Sequence, residues 1–533
     1  MQNFNGMTLI AKKMKPTLNI ICCMLLLLML TACDKNFEKI NTDPTQLSQG
    51  TIKFEYVFTS AQLDANGNPD GYANGIFQSN LAYASTMMQH LSSTNPAWYG
   101  DKYIYNANYN GVYWTTFYST GIKNVIDVIE NTRDKPEKAN LYNIARILKV
   151  WYFQQMTDLY GDIPYSEAGL GFSKGITNPR YDTQEAIYAD LLNELQDAAS
   201  KLNPDDAANT LGSADLFYEG NTDKWKKFAY SEMLRIAMRM SKVAPDKASD
   251  WAKKAVAGGV MQSNDDNALT PHEDQSTRPV SNPVGLELHS REPNGYRLSL
   301  TFVNFLKTNN DPRLRYIGTV IEDPTNTDDL GNDDPDAQLG QPNGYDRTEG
   351  AKDISNAPNW PGDQNMYSVV NRTTFSRESA PTFILTYAET ALLQAEAAQR
   401  GWITGSAATF YNNGVHAAIM QLNQTGANIS DGDASNYVSA HPLVSATALQ
   451  QINEQYWVAT FSDWLETWAN WRRSGFPVLT PVNYQGNSTN GTIPRRFVYP
   501  LDEASVNPAN YSTAAGRITG GDKLTSRVWW DKE

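Results

Sequence analysis

One stretch constrains the fold more than any other. From Leu141 to Tyr160, apolar side chains fall at Leu141, Ile144, Ala145, Leu148, Tyr152, Met156 and Leu159, the i, i+3, i+4 rhythm of a buried helical face. A second set, Ile147, Val150, Trp151 and Phe153, makes the same segment apolar on further sides. A helix that is greasy nearly all round must sit between neighbours, so the chain is expected to build a mainly α-helical assembly around it. Gly161 ends the segment and Pro164 follows, as at a helix C-terminus.

The same periodicity predicts helices over Phe54–Asp64, Asn74–Leu91, Val112–Asn131, Thr183–Leu202, Trp225–Lys242, Lys247–Gly258, Leu298–Lys307, Thr382–Arg400, Ser406–Leu422 and Thr447–Arg473. The segments on either side of Gly401–Gly405 read as an αα-hairpin with Ala391, Ala395, Ala398, Ala408 and Ala418 facing one another. Small residues permit the close packing of tetratricopeptide-like helix pairs, although the full repeat signature is absent. Between residues 259 and 375 the chain is rich in Pro, Asn and Asp, the composition of long irregular loops, and loops on a rigid scaffold are where binding surfaces gather. No linker interrupts the pattern, so residues 51–533 are read as a single domain with large insertions.

The N-terminus has a different logic. Lys12, Lys13 and Lys15 precede an apolar run from Ile20 to Leu30, the order of a signal peptide rather than a membrane span, which needs about 20 apolar residues. The run ends in Leu30-Thr31-Ala32-Cys33, similar to a lipoprotein signal-peptidase site, so residues 1–32 are expected to be cleaved, Cys33 to carry lipid, and residues 33–50 to form a polar tether. Met14 is an alternative start. All 3 cysteines lie in this segment, which excludes disulfides, zinc–thiolate sites and cysteine nucleophiles from the mature chain. A net charge of -14 makes nucleic acid and anionic membrane surfaces poor ligands.

Several blocks then resemble the SusD/RagB family of nutrient-binding outer-membrane lipoproteins, in particular a divergent SusD-like subgroup. They are Phe37-Glu38-Lys39-Ile40-Asn41-Thr42-Asp43-Pro44; Met156-Thr157-Asp158-Leu159-Tyr160-Gly161-Asp162-Ile163-Pro164-Tyr165; Leu385-Thr386-Tyr387-Ala388-Glu389 with Gln394-Ala395-Glu396-Ala397; Ile493-Pro494-Arg495-Arg496 with Tyr499-Pro500; and Arg527-Val528-Trp529-Trp530-Asp531. The resemblance implies a SusD-like α-helical fold with an irregular ligand face, a non-enzymatic role in capturing an oligosaccharide or peptide, an outer-membrane location facing the cell exterior, and a SusC-type TonB-dependent transporter as partner. The block Trp464-Leu465-Glu466-Thr467-Trp468-Ala469-Asn470-Trp471-Arg472-Arg473 departs from the family's usual aromatic and basic pattern, which leaves the ligand class open. An α-helical toroid glycosidase is the rival reading.

Loop aromatics are the candidate ligand contacts. Trp98 and Tyr99 lie between Asn95-Pro96 and Gly100, in a turn where burial is hard to arrange; Trp360 lies between Pro358 and Pro361, with Tyr367 nearby. A rigid exposed ring offers a flat face to a sugar or a peptide side chain. By contrast Trp457, Phe461, Trp464, Trp468 and Trp471 share one helix face, which core packing explains. The acidic loop from Asp323 to Asp336, with Asp328, Asp329, Asp333 and Asp334, has oxygen ligands suited to Ca²⁺ but no EF-hand spacing. Asp64-Ala65-Asn66-Gly67-Asn68-Pro69-Asp70 begins like an EF-hand, yet Pro69 occupies the glycine position and Gly75 the terminal glutamate position, so solvated loops are expected and no cofactor is assigned. Histidines at 90, 272, 289, 416 and 441 make no HExxH pair, and no P-loop or nucleophile elbow occurs. Pairs such as Asp158 with Asp162 or Asp463 with Glu466 are common at helix ends and carry little weight as glycosidase acids. Replacing Cys33 by alanine is expected to abolish incorporation of a palmitate analogue and to move the protein from membrane to soluble fractions; undiminished labelling overturns the lipid assignment.

Overall fold

The all-round apolar helix does lie at the centre, at Ala139–Tyr160, with every side chain from Val150 to Tyr160 buried. The computed structural model describes residues 52–65, 76–205, 211–274 and 280–533; the signal peptide, Cys33 and the tether fall outside them. Residues Phe54–Glu533 form one compact unit. In chain order its principal helices are α1 (Phe54–Asp64), α2 (Ala107–Ser119), α3 (Gly121–Thr132), α4 (Ala139–Tyr160), α5 (Gln184–Ser200), α6 (Thr222–Arg239), α7 (Pro245–Gly258), α8 (Leu300–Thr308), α9 (Tyr387–Gln399), α10 (Ala407–Met420), α11 (Ala448–Ala459) and α12 (Trp464–Ser474). Neighbours in this order pack as pairs, α6 on α7 and α9 on α10 most extensively, while α4 lies against α3, α5 and α6. None of the described helices is long and apolar enough to cross a membrane.

Four predicted helices are corrected. The segment Val112–Asn131 breaks at Thr120, and Gly121 opens α3 where a Cβ would stand 2.2 Å from the Tyr152 hydroxyl; glycine lets α3 close on α4. Thr382–Leu385 is a strand, and α9 starts only at the capping box in which Thr386 accepts from the Glu389 backbone and Glu389 returns the bond. Residues Thr447–Arg473 form two helices separated at Thr460–Asp463, where Ser462 has φ 83° and the Asp463 side chain caps α12. Trp457, Phe461, Trp464 and Trp468 nonetheless remain buried, as their stripe predicts, while Trp471 is half-buried. The helix predicted over Asn74–Leu91 is π-helical from Ile76 to Ser85 and gives way to a strand at Leu91. In the α9–α10 hairpin Ala391, Ala395 and Ala418 are buried and Ala398 half-buried, but Ala408 is exposed. The closest approach is at Gly414, whose added Cβ would come within 2.7 Å of Leu392 Cγ.

Short antiparallel ribbons tie distant loops together: β1 (Leu91–Ser93) with β5 (Tyr296–Leu298), β2 (Ile163–Pro164) with β3 (Tyr181–Asp182), β4 (Ala268–Thr270) with β8 (Thr382–Leu385), and β6 (Gly318–Thr319) with β7 (Val369–Val370). Each joins segments that helices alone would leave apart.

The core these elements enclose is not purely apolar. Arg239 on α6 is fully buried, with Nε 3.1 Å from Asp158 Oδ2 on α4 and Nη2 on Glu466 of α12. Asp158 Oδ1 also accepts from Trp530 Nε1 at 2.9 Å and from the Tyr188 hydroxyl on α5. One turn away, Arg235 reaches Glu389 on α9 at 2.7 Å, and Tyr456 on α11 donates to Glu466 at 2.7 Å. Arg473 grips Glu396 through two bonds of 2.6 and 2.7 Å, braced by Asn453 and Asn470. Such paired charges avoid the several kcal/mol that an isolated buried ion costs. The Trp464–Arg473 block is thus scaffold, and its departure from the family pattern bears on packing rather than on ligand.

Glu232 is the least satisfied member: its oxygens make no hydrogen bond, and Arg235 Nη1 stands 3.3 Å away. Burial raises its carboxyl to about 7; Arg235 and Arg239 oppose the rise, and Glu466 and Asp158 add to it. The folded state therefore holds a proton between the unfolded pKa near 4.5 and about 7, and stability present below that window is lost as pH rises through it. Glu232→Gln is expected to raise the melting temperature relative to wild type at pH 8, by an effect on the order of a few kcal/mol, and to be near neutral at pH 4. Equal shifts at both pH values would contradict this.

Candidate functional site

The two predicted aromatic loops meet on one ribbon. In the β1–β5 pair Leu91 faces Leu298, Ser92 faces Arg297 and Ser93 faces Tyr296. Beyond β1 the Thr94 amide bonds the Gly295 carbonyl at 3.0 Å, and a turn follows in which Asn95 Oδ1 accepts from Ala97 N at 2.9 Å. This is the Asx chemistry that Asn-Pro favours. On the other side, Arg297 donates to the Gln364 carbonyl at 3.2 Å and to Asn365 Oδ1 at 3.0 Å, and Leu298 N bonds the Ser368 carbonyl at 2.7 Å. The Trp98 turn is therefore held at Gly295, just before β5, and the Trp360–Tyr367 loop by Arg297 and Leu298 within it. Burial lowers the Arg297 guanidinium to about 10; its donors are spent on loop carbonyls and amides.

Two of the four predicted residues are not where the sequence suggested. Trp98 is corrected from an exposed ring to a buried one, 5% exposed. It stacks on Tyr296 with centroids 4.4 Å apart and planes at 15°, and meets Phe77 edge-on at 5.6 Å. Gly295 makes room for it, since a Cβ there would stand 2.1 Å from the indole. Tyr367 is also corrected, being fully buried, with its hydroxyl donating to Asn359 Oδ1 at 3.1 Å; burial pushes that hydroxyl up to about 12. Tyr99 and Trp360 are half-buried. Tyr99 leans on Tyr109, 5.9 Å away, and Trp360 lies 6.2 Å from Tyr367, its backbone fixed by a 3.0 Å bond to Ala357 O.

Half-burial suits stacking: the ring's inner edge is braced while part of its surface stays open to a ligand. Sequence reasoning missed Tyr109, whose place inside α2 marks it as one helical aromatic among many, and Met366, 49% exposed beside Tyr367. Two clefts lie elsewhere, one of about 360 Å³ bordered by Lys307 and Tyr316, the other of about 920 Å³ bordered by Arg517 and Trp529. Neither is lined by the four predicted residues.

The carboxylates weighed as glycosidase acids are engaged within the fold. Asp158 and Glu466 are bound by Arg239, and Asp162 accepts from Gln184 N and Arg517. In the acidic loop Asp323, Asp329 and Asp334 accept from backbone amides two residues on, and Asp333 pairs with Arg315. No cluster of three or more metal-ligating side chains occurs among the described residues.

The scaffold of helix pairs is of the SusD-like class. The family described as starch-binding and associating with the outer membrane matches residues 57–500, and the chain belongs to this SusD-like family. It is similar to a solved chitin-binding protein at 34% identity, with a TM-score of 0.77 over 90% of this chain and 100% of the other. A solved SusD-like protein of Bacteroidetes AC2a is 27% identical with a TM-score of 0.79 over 90% and 100%. A chitin-binding SusD homolog from Flavobacterium johnsoniae, 24% identical, shares the fold with a TM-score of 0.73 over 90% and 99%. No curated protein matches the chain.

The geometry separates the two tryptophans. Trp98→Ala is expected to cost roughly 3–5 kcal/mol of stability through the cavity it leaves. Trp360→Ala is expected to leave the melting temperature near wild type and to weaken ligand binding several-fold, since one stacking contact is worth on the order of 1 kcal/mol. Thermal melts and calorimetric titrations check both; a stable Trp98→Ala protein reverses the assignment.

Proposed function

We propose that this protein is a lipid-anchored cell-surface binding protein that captures an oligosaccharide on the face of Tyr99, Tyr109 and Trp360 and delivers it to a SusC-type TonB-dependent transporter. The observation that carries the reading is the convergence of two loops with half-buried rings on the β1–β5 ribbon. Family membership and the chitin-binding relative support a glycan as ligand. Lipid on Cys33 would hold the binder near a transporter mouth and raise the local ligand concentration there. A peptide ligand is the second reading, favoured by the exposed Met366 beside the rings, because a flexible thioether accommodates varied side chains.

Calorimetric titration with maltoheptaose, chitohexaose and a mixed peptide pool distinguishes these readings, and an assay for new reducing ends tests hydrolysis directly. Binding of a glycan without cleavage is expected; cleavage by purified protein would install the glycosidase reading instead. Gentle affinity purification from the native host is expected to recover an outer-membrane barrel with the lipoprotein, and repeated recovery of the lipoprotein alone would count against the delivery role.

A further inference from the structure

Lys102 follows the turn that carries Trp98 and Tyr99, and its side chain has no contact with solvent. Its ammonium donates to the carbonyls of Asn95 at 3.0 Å and Trp98 at 2.7 Å, the two ends of that turn. It also lies 3.2 Å from Asp346 Oδ2 and 3.7 Å from Asp101 Oδ1. Asp346 accepts in addition from Thr348 N at 2.9 Å and from the Tyr484 hydroxyl at 3.1 Å. Asp101 receives Ser93 N at 3.1 Å and Gly344 N at 3.3 Å. One buried cation and two carboxylates thus bind together the aromatic turn, the loop at 343–348 and the C-terminal loop holding Tyr484.

A buried ion pair is a poor source of stability, because dehydrating its charges offsets most of their attraction, and an apolar filling of the same volume often serves as well. What an ammonium supplies here is direction, through N–H donors aimed at two carbonyls and a carboxylate. We propose that Lys102 is a positioning residue for ligand binding. It touches no ligand itself, and acts by fixing the turn that presents Tyr99 against the 343–348 loop, so that the aromatic face is set before a sugar arrives. A face held in its bound geometry loses less conformational freedom on binding, and that saving appears as affinity. The inference rests on the oligosaccharide-binding reading above.

The test uses the full mature chain with Lys102→Met combined with Asp346→Asn, which removes that ion pair, leaves no unpaired partner at 346 and keeps Asp101 on its Ser93 and Gly344 amides. Three results are expected. The variant folds; amide exchange across residues 95–104 and 343–348 rises by about tenfold or more while the α4 and α6 amides stay protected; and whichever of maltoheptaose or chitohexaose binds wild type binds about tenfold more weakly. In a Tyr99→Ala background the same substitutions should add much less than they do alone, because Lys102 acts through that turn. A merely structural role predicts additive losses. Wild-type affinity, unchanged exchange in both loops, or full additivity with Tyr99→Ala overturns the proposal. If the double variant does not fold, Asp346→Asn alone is read by the same measurements and the same outcomes. If wild type binds neither sugar, the glycan reading falls, while the exchange data still decide whether Lys102 couples the loops.

Discussion

The structure depends on one guanidinium. Arg239, held between Asp158 and Glu466, is the point at which α4, α6 and α12 share a charge without sharing water. Around it Arg235, Glu389, Tyr456 and Trp530 extend the pairing to α9, α11 and the last residues of the chain. Apolar faces alone tolerate sliding and rotation of one helix on another. Directional, charge-assisted bonds do not, because a misplaced helix would strand an ion in the core.

This arrangement explains what the sequence made legible. The blocks that resemble SusD/RagB proteins contain Asp158, Glu389, Glu396, Arg495, Trp530 and Asp531, and all of these belong to the buried network or to the Arg495–Asp531 pair beside it. Family likeness here is likeness of scaffold, so fold and family could be read from those residues while the ligand could not. The ligand face is built from loops whose side chains carry no periodicity. Trp98 shows the difficulty: Asn95-Pro96 marks its turn, but the ring is covered by Tyr296 and Phe77, and nothing local announces Tyr296 as its neighbour.

Helix limits were lost for a related reason. An apolar stripe reports which side of the chain is buried, and the buried side can continue through a break. Trp457 and Trp464 occupy the same core on either side of a turn at Thr460–Asp463 whose positive-φ residue is a serine rather than a glycine. The strand at Thr382–Leu385 is apolar enough to pass for a first helical turn; its partner, Ala268–Thr270, is what makes it extended.

The bond from Trp530 to Asp158 spans 372 positions. A ribosome releases the chain N-terminus first, so α4 emerges and waits while nearly all of the remaining polypeptide is made before its carboxylate meets the indole that satisfies it. Loss of a few residues at the far end of the chain would therefore be felt in the last turn of α4, where Asp158 would lose its indole donor.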